Sequence, residues 1–252
     1  RNTCKPEGRP HEHAQSRQSP APLPGGPAFG LGPPGVGLHR MTAAPLIPIQ
    51  TAAELLAPQA VSIDRLRRLS GGSDVQFAAV YAPLLAGFAE YVQQVPDAGQ
   101  PERTLLQARL HAAERTLARR RGAILPLDAE PEQVAREADL WTYVLFAAAL
   151  LRELATALAP WAITVYAPRQ QPLGRWQPHL APRGFAKLPH AVAYQVRRSG
   201  ETPGPDGTPL MIGARLPEAA WNWLWREPRV FAAWQHLFHG RPRPDLDPLL
   251  AP

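Results

Sequence analysis

The chain has 252 residues, enough for one sizeable domain or two small ones. Its single cysteine, Cys4, excludes an internal disulfide framework and any cysteine-based zinc site. Half of the net charge of +6 comes from residues 1–40, with five Lys/Arg against two Asp/Glu; the remaining 22 against 19 give +3, which permits a nucleic-acid partner without demanding one.

Residues 1–40 contain eight Pro and seven Gly and almost no large apolar side chains. Such a segment buries too little surface to offset its ordering entropy, so it is expected to be a disordered extension. His11 and His13 within it form an isolated H-x-H, too little for a metal site. Met41 opens a different composition and is expected to be the natural start. No charged start precedes an apolar core of signal-peptide length, and a cytoplasmic protein is the expectation.

From Thr51 a helical period sets in. TAAELLAP predicts a short helix capped by Thr51 and stopped near Pro58. SIDRLRRLSGG predicts a second, with Ile63, Leu66 and Leu69 on one face, Arg65, Arg67 and Arg68 on the rest, and glycines at its end. In SDVQFAAVYAPLLAGFAEYVQQVP, Phe77, Val80, Tyr81, Leu84, Leu85, Phe88 and Tyr91 recur at helical spacing. Pro83 is expected to start a new helix or kink this one.

PERTLLQARLHAAERTLARRRG predicts a helix with Leu106, Leu110, Ala113 and Leu117 inside. Arg115, Arg119, Arg120 and Arg121 crowd its C-terminal part, where cations suit the macrodipole; they are also the candidate nucleic-acid-binding residues. A loop, ILPLDAEP, leads into the most apolar run of the chain, LWTYVLFAAALL from Leu140 to Leu151. These twelve residues fall short of the roughly 20 that span a bilayer, and their acidic approach and polar exit suit a helix buried on nearly all sides.

After Pro160 the pattern changes. WAITVYAP and AVAYQV predict short strands in a small antiparallel excursion around 161–198, with QPLGRW and ETPGPDGTP as turns. LPEAAWNWLW and EPRVFAAWQHLFHG return to helix, starting at Pro217 and Pro228. Trp221 and Trp225, like Val230 and Trp234, are four apart, which places the aromatic cluster first of all in the core. GRPRPDLDPLLAP is expected to be a frayed or extended tail.

The chain carries no G-x-S-x-G, no phosphate-cradling glycine loop and no H-E-x-x-H. His236 and His239 are three apart on a helix but lack a third ligand, so they are expected to serve the helix end. His111 stands alone. Glu153, directly after the apolar run, needs a partner at the core's edge, and an arginine is the simplest one.

Five stretches in order carry a resemblance: AAELLAPQAVSIDRLRRLSG, FAAVYAPLLAGFAEYVQQVP, LLQARLHAAERTLARRRGAILPLDAEPEQVAREADLWTYVLFAAALL, QPLGRWQPHL and AAWNWLWREPRVFAAWQHLFHG. Together they resemble the N-terminal domain of the TraI-type putative helicases, or MobH-type relaxases, of integrative conjugative elements. The resemblance runs from about Pro45 to Gly240 and implies a 41–240 domain followed by a 241–252 tail. It also implies an HD-like helical fold within the mostly α architecture, because members of that family resemble HD-type metal-dependent phosphohydrolases.

In that family the buried helix continues as a leucine pair, His-Asp, then a short Gly-Lys. The corresponding residues here are Leu150-Leu151, Arg152-Glu153 and Ala155-Thr156. A further family histidine falls on Ala108, and an upstream cluster falls near Gly99 to Glu102, where no histidine stands. A guanidinium stays charged and cannot ligate a metal. The resemblance therefore implies a degenerate site with no catalytic residue, no metal and no cofactor. It leaves a DNA-processing module that binds DNA or other conjugation-machinery proteins, away from any membrane. The alternatives are an active phosphohydrolase rearranged around Glu153 with histidines such as His111, and a protein-docking scaffold built on Trp221, Trp223 or Trp225.

Overall fold

The computed structural model describes residues 44–178, 181, 183–199, 207–213 and 215–251, which form one compact unit. The extension at 1–40, with His11 and His13, and residues 201–206 of the ETPGPDGTP turn lie outside the described residues.

A two-residue strand, β1 (Ile47–Pro48), leads into α1 (Ala52–Leu56). Thr51 and Glu54 close a capping box at its start, each side chain meeting the other's backbone N–H. α1 stops two residues before Pro58, as expected, and a 3₁₀ turn, Ala57–Gln59, carries the chain into α2 (Ala60–Ser70). Gly71 ends α2 at φ 73°, a left-handed cap that suits glycine.

Pro83 stands in the first turn of a new helical segment, as expected. Between α3 (Asp74–Gln76) and α4 (Ala82–Val92) the backbone widens into a π turn, Phe77–Tyr81. The Ala82 N–H reaches back five residues to the Phe77 carbonyl, and the local widening accommodates a residue that has no N–H to give. α5 (Leu105–Arg120) opens with a second capping box, Thr104 with Gln107, and buries Leu106, Leu110, Ala113 and Leu117 as its periodicity predicts.

α6 (Pro131–Leu151) is the axis of the body. Every residue from Leu140 to Leu151 is buried, with α5, α2 and α10 (Pro228–Phe238) among its neighbours. The side chains of Leu140, Trp141, Val144, Leu145, Phe146, Leu150 and Leu151 contribute on the order of 10 kcal/mol of burial as an upper bound. By length and composition 74–92 and 131–158 are apolar enough to cross a bilayer, but 72% of the second window is buried against protein. An aromatic group locks α6 to the π turn: Tyr81 meets Tyr143 edge-on at 5.2 Å and Phe146 at 4.9 Å.

The remaining elements are α7 (Leu154–Leu158), β2 (Trp161–Ala167), β3 (Gln171–Arg175), β4 (Ala193–Arg198), α8 (Thr208–Ile212), α9 (Glu218–Trp225) and α11 (Asp247–Leu250), the last following α10. The antiparallel excursion predicted around 161–198 is present as a sheet of order β1-β4-β2-β3. QPLGR, predicted as a turn, is instead the edge strand β3, paired with β2 through a register shift at Val165/Tyr166. Ile47–Pro48 pairs with Tyr194–Ala193 across the chain, a partnership that local pattern does not reveal.

The segment predicted as a frayed or extended tail carries α11, which packs on α5 and α6 with Leu246 and Leu250 buried. Two leucines over an apolar groove explain the difference. The tryptophans divide: Trp234 is buried and Trp223 lies 6.0 Å from Tyr143, whereas Trp225 is 63% exposed. Trp225 thus departs from the core placement predicted for it.

Candidate functional site

The end of α6 is where the sequence places its degenerate site. Arg152 ends the helix with extended backbone, ψ 137°, and Glu153 follows in the left-handed region at φ 59°, heading α7. A non-glycine residue there is uncommon, and the kink turns the two side chains toward α10 and α11. Together with Leu237, Phe238, Gly240, Arg241, Pro242 and Asp247 they line a cavity of about 330 Å³.

The Arg152 guanidinium sits among acceptors. Its Nη2 donates to the Leu250 carbonyl at 3.2 Å, its Nε lies 3.7 Å from Glu153, and its Nη1 lies 4.0 Å from Asp247. Asp247 is engaged on its other oxygen, which accepts the Arg243 N–H at 2.9 Å. Arg243 in turn grips Asp245 through two hydrogen bonds of 2.8 and 2.5 Å, and this pairing holds the Asp245 carboxyl below its ordinary pKa.

On α5, Ala108 offers only a methyl group. Its neighbour Arg109 has a lowered pKa, chiefly through burial, with the charge of Glu153 acting in the opposite direction. The donor set of this corner is thus two carboxylates already facing a permanent cation. Among the described residues no three His, Cys, Asp or Glu side chains gather as a metal-binding group. These residues do not fit a divalent metal, because a guanidinium occupies the space between the two carboxylates.

The histidines stand elsewhere. His111 is exposed on α5, and His239 places Nδ1 2.7 Å from the Gln235 carbonyl, where it donates and serves the end of α10.

The arginine group of α5 is split by the fold. Arg120 is 9% exposed and turns inward, donating to the Ala123 carbonyl at 2.5 Å and the Ala138 carbonyl at 3.3 Å. Arg119 reaches the Leu249 and Ala251 carbonyls at 3.5 and 2.5 Å. Both clasp backbone, as cations at helix ends do. Arg121 is exposed and donates to the Arg68 carbonyl at 2.6 Å, which brings the C-terminal ends of α2 and α5 side by side. Arg65 faces the buried Glu114 at 3.5 Å, and Arg68 pairs with Asp64. Arg115 is half-buried, with its Nε lacking a hydrogen-bond acceptor. Of the four candidates, Arg120 is structural, and the surface gathers Arg121 with Arg68 instead.

Sequence reasoning missed Asp247 and Arg241. A signal was available only in the charged residues of the supposed tail, which gain meaning once Leu246 and Leu250 are seen to anchor it.

A comparison with curated proteins found no match. Residues 47–190 match the sequence model of the TraI_2 family, whose description reads "Putative helicase". The match spans more than half of the chain, from β1 past β3 and across α6, and stops before α8 to α11. With the central helix, its flanking helices and most of the sheet inside the matched range, the chain belongs to the TraI_2 family.

Proposed function

We propose that this chain is the HD-like domain of a conjugative DNA-processing protein, related to MobH-type relaxases, that has lost its metal centre and works in the cytoplasm as a binding module. The observation that carries the reading is the Arg152 guanidinium lying between Glu153 and Asp247. A metal that activates water needs neutral imidazoles and free carboxylates converging on it, and this corner offers neither. The ligand is DNA, held through phosphates by the exposed cations at the joined ends of α2 and α5, Arg68 and Arg121, with Arg65 and Arg115 beside them.

The test is binding of the chain to fluorescent single- and double-stranded DNA across a salt series. Micromolar or tighter binding that weakens steeply with salt is the expected result. No binding at low salt would overturn it.

A second reading has its own observation. Trp225 is 63% exposed and stacks on Phe231 at 4.4 Å, an arrangement typical of an aromatic anchor at a protein interface. It favours docking to another protein of the transfer machinery, and it gains weight if DNA binding fails.

A further inference from the structure

We infer that Arg215 is the grip of a phosphate-binding site, separate from the α2–α5 surface, which the fold holds closed against Tyr91. Arg215 lies between α8 and α9, its backbone N–H donating to the Ile212 carbonyl at 2.8 Å. The residue is only 7% exposed, and its Cζ stands 3.6 Å from the centre of the Tyr91 ring. Its Nε and Nη2 are buried without a hydrogen-bond partner, and it forms no ion pair with any described residue.

These two nitrogens form one edge of the guanidinium plane. Their N–H bonds run parallel, as the fork that meets two oxygens of a carboxylate or phosphate. Arg120, a comparably buried cation, spends its two terminal nitrogens on backbone carbonyls. Arg120 leaves only its Nε without an acceptor, whereas Arg215 leaves both nitrogens of one edge. Burial lowers the Arg215 pKa, the direction expected of a cation removed from water. The face of Tyr91 attracts the cation, which explains why the side chain rests there, but neither Nε nor Nη2 finds an acceptor on it.

A second donor stands against the same ring. Trp176 is 5% exposed and meets Tyr91 edge-on at 5.1 Å, and its indole N–H also lacks an acceptor. A carboxylate presents both of its oxygens to the fork, whereas a phosphate keeps further oxygens for a third donor. That count favours phosphate. Because the fork is shut from solvent, binding draws Arg215 off the Tyr91 face and changes the surroundings of Trp176.

The experiment titrates inorganic phosphate into the whole chain at constant ionic strength, with chloride and acetate as parallel arms. Thermal midpoint and tryptophan fluorescence are the readouts. Phosphate is expected to raise the midpoint and shift the fluorescence in a saturable way that chloride does not reproduce. Arg215→Lys keeps the charge but lacks the fork, and its apparent affinity is expected to fall at least about tenfold. Arg215→Met is expected to lose the response.

A parent response equal to the chloride arm overturns the proposal, and so does an acetate response as strong as that to phosphate. If Arg215→Met fails to fold, Arg215→Lys decides, and a lysine variant that matches the parent overturns it.

Discussion

Arg152 and Leu250 are 98 residues apart, yet the guanidinium at the end of the core helix donates to the carbonyl of the last helix at 3.2 Å. The contact fastens α11 over the corner where α6 ends and places Asp247 opposite Glu153 across the same cation. Replacing Arg152 with Ala leaves two carboxylates facing each other and one carbonyl without its donor. The side chain is partly exposed, so the expected loss is modest, about 1–2 kcal/mol in urea denaturation. A variant as stable as the parent would show that the tie carries no energy.

The two kinds of arginine on α5 separate by experiment. Arg120→Met removes donors from the Ala123 and Ala138 carbonyls, and is expected to lower stability by about 2 kcal/mol without changing the salt slope of DNA binding. Arg68→Glu with Arg121→Glu should do the opposite: the fold stays near its parent stability while binding weakens for all sequences alike and the slope falls. Charge-reversed protein that binds DNA like the parent would falsify the proposed surface.

Thr104 starts α5 by accepting the Gln107 N–H at 3.2 Å, and Gln107 returns a bond to the Thr104 N–H at 3.0 Å. Thr104→Ala removes the hydroxyl arm of this box and leaves the backbone N–H of residue 104 to Gln107. A loss of about 1 kcal/mol is expected, measured as a lowered denaturation midpoint with an unchanged slope.

High pH should unfold the protein through its tyrosines. Burial pushes Tyr91 and Tyr194 up to about 12 from the ordinary 10, and raises Tyr81 and Tyr143 as well. In the unfolded chain each phenol ionises near pH 10, whereas in the folded protein it stays neutral. This contribution to stability is therefore whole below pH 10 and is lost as pH rises toward 12. Thermal midpoints across that interval are expected to fall steadily, and a flat profile would show that these phenols are not held neutral by the fold.

Elements that bury one stripe were legible from the chain alone. The caps at Thr51 and Thr104, the inner face of α5 and the buried run of α6 follow from local spacing, because a helix forms its backbone bonds within itself. Glycine after α2 and proline at the start of α10 marked their ends for the same local reason. That Arg152 and Ala108 cannot ligate a metal was legible too, since residue identity alone fixes it.

What the sequence left open depends on partners far along the chain. β1 and β3 are short and weakly patterned, and they become strands only because β4 and β2 supply their hydrogen bonds. Whether Arg120 faced solvent or the interior rested on where the Ala123 and Ala138 carbonyls came to lie. The same holds for Asp247 opposite Arg152, and for Arg215 on the face of Tyr91. Local periodicity sets which face of a helix is apolar, but a polar side chain's role is set by the nearest unmatched charge or carbonyl. Only tertiary packing decides which one that is.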